Sequence, residues 1–207
     1  PLEYAWPVYE RYVRAFGGGP KEAVLVGMNP GPFGMTQTGV PFGEVSLVRD
    51  WMKLDGPIGA PRREHPKRPV LGFACTRSEV SGKRLWGAVA RAHPDPETFF
   101  ARAFVLNYCP LLFLAEGGAN LTPDKLTAKD RGALEAVCDD HLRRALEILA
   151  PRQVLGVGHY AAKRIGHVLG RSVPAVPHPS PASPAANRGW DDLARKALAE
   201  AGVKGLI

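Results

Sequence analysis

The sequence predicts an α/β fold, a parallel sheet covered by helices on both faces. Three observations lead there. Short apolar runs bounded by turn residues recur at residues 23–27 (AVLVG), 103–106 (AFVL) and 154–157 (VLGV). Runs that are apolar throughout, rather than alternating, belong to strands buried on both faces. Stretches of helical spacing separate them, the signature of parallel strands joined by crossover helices. Glycine (23) and proline (20) together make about a fifth of the 207 residues, against the usual ~12%. Such a chain has many shaped loops and is not a long helical bundle.

The elements follow in order. Residues 3–16 place Trp6, Tyr9, Tyr12, Val13 and Phe16 at helical spacing and stop at Gly17-Gly18-Gly19-Pro20, a helix with its terminator. The strand at 23–27 comes next. Ser46 stands where it could cap an apolar helix running to Leu54. Residues 56–77 read as loop, with four prolines and a basic cluster at Arg62, Arg63, Lys67 and Arg68. Asp95-Pro96-Glu97 opens a helix with proline in its first turn, and the second strand follows. Residues 128–150 form a long amphipathic helix ended by Pro151. After the third strand come helices at 160–169, ended by Gly170, and at 190–201, ended by Gly202. A weaker fourth strand is 173–176 (VPAV), where Pro174 argues against a central place in the sheet. No repeat and no domain boundary interrupts the chain, so residues 1–207 read as one domain.

Composition narrows the function. Lys+Arg 27 against Asp+Glu 20 gives a net charge of +7, which fits an anionic partner, nucleic acid first and a membrane surface second. No apolar run approaches the ~18–20 residues of a membrane span, and no charged-then-apolar signal pattern follows Pro1. No membrane partner is expected. Cys75, Cys109 and Cys138 stand far apart without a CxxC pair, too few for a cysteine-only cluster or zinc site. They read as buried thiols of a reducing compartment. The expectation is a soluble intracellular monomer, cytoplasmic or nucleoid-associated in a bacterium and nuclear in a eukaryote, with no metal and no cofactor.

Open parallel sheets bind ligands beyond the carboxyl ends of their strands. After the successive strands come Met28-Asn29-Pro30-Gly31, then Asn107-Tyr108-Cys109-Pro110, then Gly158-His159-Tyr160, and last Pro177-His178-Pro179-Ser180. Two Asn and two His can converge on one rim that carries no Asp or Glu. It suits hydrogen bonding and not a hard cation. The loop 27–43 (GMNPGPFGMTQTGVPFG) combines five glycines with three prolines. Glycine lets backbone approach a ligand, and proline stiffens the loop around it. It is not a P-loop, since no Gly-Lys-Ser/Thr follows. Nor is it a dinucleotide fingerprint, since no helix is expected to open right after the glycines. An ordered loop packed by Met28, Phe33 and Phe42 is an equal alternative to a ligand-binding one.

Four segments carry a resemblance. GMNPGPFGMTQTGVPFGEV, RSEVSGKRLWG, NYCPLLFL and HPSPASPAANRGW resemble the motifs of the single-strand-selective monofunctional uracil-DNA glycosylases, a family of the uracil-DNA glycosylase superfamily. They run in the family's order from Gly27 to Trp190. The pairing of MNPG with HPSP sets this family apart from relatives with Asp in the first motif. The resemblance implies a three-layer α/β/α sandwich around a four-stranded parallel sheet. It implies removal of uracil and of some uracils oxidised at the 5-position, such as 5-hydroxymethyluracil, from single- and double-stranded DNA; deaminated purines such as xanthine would need a roomy pocket, which the sequence leaves open. By motif, Asn29 would position the hydrolytic water and His178 would face the base O2. The Met28 N–H would help hold O2, Asn107 would read the Watson–Crick edge, Phe42 would stack on the ring, and Gly31 to Met35 would line the C5 side. The segment 179–188 resembles the loop that wedges into the duplex. It carries short side chains at Ala182, Ser183 and Ala185 where longer polar ones are usual in vertebrates.

The chemistry agrees with those roles. The base must leave as a stabilised anion, and preorganised hydrogen bonds at the developing charge are usually the largest catalytic term. His178 and the Met28 N–H suit that task. An Asn amide is no proton acceptor at neutral pH, so Asn29 can only orient water. That suffices when the bond breaks before attack. Asn107 offers a donor and an acceptor together, complementary to uracil O4 and N3–H and the inverse of cytosine. On residues alone, Asn107 suits a turn cap before Pro110 equally well, and a lone His178 can be a core histidine bonded to backbone. No lysine sits on the rim, so no Schiff-base lyase step is expected. DNA contacts are expected from Ser78, Ser81, Gly82 and Lys83, from Arg84, Lys163 and Arg164, from the cluster 62–68, and from Ser180, Pro181, Ala182, Asn187 and Arg188. Glu79, Asp139 and Asp140 read as surface or helix acids. The alternative is a catalytically inactive lesion-binding module on the same fold, against which intact Asn29, Asn107 and His178 argue. A nucleotide-using α/β enzyme is disfavoured by the absent Walker loop and rim carboxylates.

Overall fold

All four apolar runs become strands of one sheet in the computed structural model, which describes Pro1–Ile207. Helix α1 (Trp6–Phe16) leads into β1 (Ala23–Gly27). The loop after β1 holds a four-residue helix, α2 (Met35–Thr38), and one π-helical turn at Leu47–Trp51. Helices α3 (Val80–Ala92) and α4 (Pro96–Phe100) precede β2 (Ala103–Asn107). A small hairpin, β3 (Phe113–Leu114) and β4 (Asn120–Leu121), comes before α5 (Ala128–Leu149). The chain ends with β5 (Gln153–Val157), α6 (His159–Leu169), β6 (Ala175–Val176) and α7 (Trp190–Glu200).

The strand order is β2-β1-β5-β6, every pair parallel. From β1 the chain moves out to β2, then crosses back to β5 and β6. The direction of winding therefore reverses at β1, where an open sheet forms its ligand crevice. All five residues of β1 and of β2 are buried, which is why both read as continuous apolar runs. β6 is two residues long and lies at the edge. Proline has no N–H for a ladder, but the Pro174 carbonyl still accepts from Gly156 N–H at 3.0 Å.

Helices surround the sheet in two packed groups, α6 with α5 and α3 with α7. Aromatic rings fill one side of the core. Phe16 stacks on Phe100 with centroids 3.8 Å apart, and Tyr12 stacks on Phe104 at 4.9 Å. The buried Tyr12 hydroxyl donates to Val105 O at 2.8 Å, so the ring is buried without an orphaned polar atom.

Two expectations need correction, and one helix went unread. Ser46 caps nothing, and no helix runs to Leu54. The Glu44 carboxylate accepts from the Ser46 hydroxyl and from Leu47 N–H, closing a single wide turn. A helix does open directly after the glycines of the first loop, at Met35, though it is only four residues long. The RSEVSGKRLWG segment is the start of α3, whose Leu85, Trp86, Ala88 and Val89 are buried. Gly82 and Gly87 conceal it from a propensity reading, because glycine disfavours helix interiors by about 1 kcal/mol.

Candidate active site

A cavity of about 540 Å³ opens beyond the carboxyl ends of β1, β2 and β6. The β1 exit brings Met28, Asn29 and Gly31 to its wall, α2 brings Met35, and Phe42 comes from the following turn. β2 ends in Asn107, and the β6 exit supplies His178. The seven residues named for catalysis and base binding thus meet in one cavity. The sheet ladder sets their spacing. Tyr108 N–H donates to Gly27 O at 2.8 Å and Cys109 N–H to Met28 O at 2.9 Å, carrying the β1–β2 pairing past Asn107 and fixing it beside Met28.

Asn107 is buried, with 5% of its surface exposed. Its amide nitrogen donates to the Met35 sulfur at 3.3 Å, while its Oδ1 is buried with no hydrogen-bond partner. Such an orphan costs ~1–3 kcal/mol, and native structures keep few of them. The Oδ1 and the Phe42 ring both crowd the face of Gly27. A Cβ there would lie 2.5 Å from Oδ1 and 2.5 and 2.7 Å from two ring carbons. Glycine at 27 is the condition for amide and ring to meet.

Phe42 is held by its backbone. Its φ of 56° lies in the left-handed region, costing a non-glycine residue about 1–2 kcal/mol. The surroundings enforce it. The Trp86 indole N–H donates to Pro41 O at 2.9 Å, and the Phe42 carbonyl packs so tightly on Gly82 that no Cβ fits there. The Phe42 ring stands 6.1 Å from the His178 ring at 48°.

The His178 tautomer follows from its neighbours. Ser180 N–H donates to His178 Nδ1 at 3.1 Å. Nδ1 is then an acceptor, so the neutral ring carries its proton on Nε2. Burial pushes the imidazole below its usual range. The neutral ring is therefore favoured, with Nε2–H as the donor it has left to offer.

Asn29 uses its donor end on Pro30 O, at 3.3 Å, leaving Oδ1 to accept from a water. The loop around it is braced from inside by residues the sequence reading passed over. Gln37 is buried and fully bonded. Its Nε2 donates to Pro32 O and Pro69 O, and its Oε1 accepts from Leu71 and Gly72 N–H. Thr38 Oγ1 donates to Gly43 O at 3.1 Å. So α2 and its polar side chains pack the loop. Met28, Phe33 and Phe42, which would pack the loop in the alternative reading, are only half-buried and face the cavity.

The residues expected at DNA divide into two groups. Ser78, Lys83, Pro181, Ala182 and Arg188 are exposed, and Ser180 and Pro181 line the cavity mouth. Ser81 is buried but lines the cavity wall, as does Ser78; Gly82 is buried and is explained by the Phe42 carbonyl. Asn187 is committed at both ends of its amide, donating to Pro181 O at 2.8 Å and accepting from Arg84 at 2.8 Å. Arg84 also donates to Pro179 O. The pair clamps the 179–188 segment into shape. Arg164 is unavailable too, bound to Glu135, Asp139 and the Tyr108 hydroxyl. Asp139 is a helix acid on α5, and its carboxylate is taken up by Arg164 and the Tyr108 hydroxyl. His159 begins α6, exposed and outside the cavity lining.

Three cavity residues escaped the sequence reading, and a fourth, Glu79, read as a surface or helix acid. Asn120 and Thr122 reach the wall from the β3–β4 hairpin, whose Gly117-Gly118 turn was a legible signal. Arg77 lies over the Phe33 ring at 4.1 Å. Glu79 lines the wall as well, and burial raises its carboxyl pKa against hydrogen bonding from Ser81 and Phe33. No group of three His, Cys, Asp or Glu is placed to hold a metal ion.

Comparison with known proteins gives three results. The family model of the Uracil DNA glycosylase superfamily matches residues 16–201. The single-strand selective monofunctional uracil DNA glycosylase of Bos taurus is 51% identical over 212 aligned residues, which cover 100% of this chain and 78% of that protein. Its counterparts from Rattus norvegicus and Mus musculus are each 50% identical, with 100% of this chain and 76% of each covered. The crystal structure of wild-type SMUG2 from Pedobacter heparinus superposes with a TM-score of 0.66 at 16% identity, covering 96% of this chain and 82% of that one. That likeness is one of fold.

Proposed function

This chain belongs to the uracil DNA glycosylase superfamily, in its single-strand-selective monofunctional family, and from that premise we propose how its cavity hydrolyses the bond between base and sugar. Uracil flips out of the strand and stacks on Phe42, with its O2 at the Met28 N–H and His178 Nε2–H and its N3–H and O4 at Asn107. The N1–C1′ bond breaks first. Its electron pair leaves with the base, and the negative charge shared onto O2 meets two fixed donors. A neutral imidazole that already carries its proton on Nε2 suits this task, because nothing need reorganise as charge develops. Asn29 Oδ1 accepts from a water and aims its oxygen at C1′. The water adds to the sugar cation and gives up a proton to solvent.

With O2 and the Watson–Crick edge assigned, the remaining ring edge, C5, falls to the segment Gly31–Met35. Two glycines there leave room for small 5-substituents, so the substrate range extends to 5-hydroxymethyluracil and, in a cavity of this size, to deaminated purines such as xanthine. Both single-stranded and duplex DNA supply the base, and its removal starts base excision repair. Flipping costs a few kcal/mol and least in single strands. The short side chains at Ala182, Ser183 and Ala185 favour single strands for the same reason.

The buried, unpartnered Asn107 Oδ1 carries this reading. A base with an N–H at N3 satisfies it, and cytosine, with an acceptor there, does not. Asn107→Asp tests the assignment. A carboxylate repels O4 while accepting from the cytosine amino group. Excision of uracil is expected to drop by about a hundredfold or more, with weak removal of cytosine appearing. Uracil excision at the parent rate would contradict the pairing.

A further inference from the structure

We propose that Glu79 decides which groups the cavity accepts at C5 of the base, favouring a hydrogen-bond donor and rejecting a bare methyl or an anion. The proposal rests on the placement of C5 beside Gly31 given above. Glu79 immediately precedes α3 and lines the cavity. Its Oε2 stands 2.5 Å from where a Cβ on Gly31 would lie, and its Cγ 2.9 Å from the same point on Gly34. Two residues without side chains thus let a carboxyl group close up against the segment that faces C5. Arg77, two residues earlier, lies over the Phe33 ring rather than against this carboxyl. Burial raises the Glu79 pKa, while hydrogen bonds from Ser81 and Phe33 hold the carboxyl in place and favour its ionised form.

An ionised carboxylate accepts hydrogen bonds and donates none. A 5-hydroxymethyl group brings it an O–H, and a charge-assisted bond forms. A 5-methyl group takes water from the carboxylate and returns no hydrogen bond, which costs free energy. A 5-carboxyl group adds a like charge. Unsubstituted uracil leaves space for a water between C5 and the carboxylate. The normal 5-methylated base of DNA is passed over on these terms, while its hydroxylated form is accepted.

The test compares wild type, Glu79→Gln and Glu79→Leu on single-stranded oligonucleotides carrying uracil, thymine, 5-hydroxymethyluracil or 5-carboxyuracil. Single-turnover rates are expressed as ratios to uracil within each protein preparation, so the folded fraction cancels. Glu79→Leu is expected to lower the 5-hydroxymethyluracil ratio by about tenfold or more, the worth of a bond to a charged group, and to raise the thymine ratio. Glu79→Gln is expected to raise the 5-carboxyuracil ratio. Ratios unchanged within about twofold in both variants would overturn the proposal. So would loss of uracil excision in both, which would make Glu79 a support of the pocket rather than its selector. A wrong placement of C5 shows earlier and separately, as wild type that removes uracil but not 5-hydroxymethyluracil.

Discussion

Gly27→Ala is expected to lower uracil excision by about a hundredfold or more while leaving a folded protein. The added methyl enters the space shared by Asn107 Oδ1 and the Phe42 ring, 2.5 Å from each. Neither can yield easily. Asn107 is buried at the end of β2, tied to the Met35 sulfur. The Phe42 backbone is fixed between the Trp86–Pro41 bond and Gly82. Amide and ring must move apart by roughly an ångström, and displacement of that size costs about a hundredfold in rate. Gly27 pairs with Asn107 in the central sheet, so the displacement falls on the floor of the pocket and not on the rest of the core. Single-turnover kinetics on a uracil oligonucleotide, with circular dichroism to check the fold, measures this. A rate within about threefold of the parent would show that amide and ring are not jointly required.

His178→Ala is expected to slow single-turnover excision by about 100- to 1,000-fold, the usual worth of one preorganised donor at a developing anion. His178→Gln, which can still accept from Ser180 N–H or donate to the base, should recover part of the loss. Stability carries a second signature of the same ring. The unfolded chain protonates this histidine near pH 6.5, and the folded one resists because burial lowers its pKa. Its contribution is fully present above the unfolded value of 6.5 and is lost as pH falls from there through the lower folded value. Protonation would also put an N–H against the Ser180 N–H. Urea unfolding at about pH 7.5 and pH 5.5 should therefore show a larger acid loss in wild type than in His178→Gln. Equal losses would contradict a buried neutral imidazole.

The strands were legible because each is buried on both faces, which leaves an uninterrupted apolar run, and the site was legible because its residues follow strand ends. Asn29, Asn107 and His178 come from three separate exits, and a parallel sheet points all three exits the same way. The remainder was not legible for physical reasons. Gly27 looks like any strand glycine until Asn107 and Phe42 are seen on either side of it. Gly82 reads as a backbone N–H donor to a DNA phosphate, yet it is buried against the Phe42 carbonyl. Asn187 and Arg164 read as free polar groups, but partners more than twenty residues away hold them. Glu79 reads as a surface or helix acid because burial at a helix start depends on how a distant loop folds over it. Gln37 is hidden for a related reason: its four bonds go to backbone of two loops, and only the folded chain brings those together.

The central claim is that this cavity hydrolyses the bond between uracil and deoxyribose with the chain's own hydrogen-bonding groups and leaves the strand intact. A 5′-labelled single-stranded oligonucleotide carrying one uracil, incubated with the protein in EDTA and divided into samples with and without hot alkali, tests it most directly. Cleavage at the uracil position only after alkali is the predicted result. A strand still intact after alkali, or one already cut before it, would contradict the account.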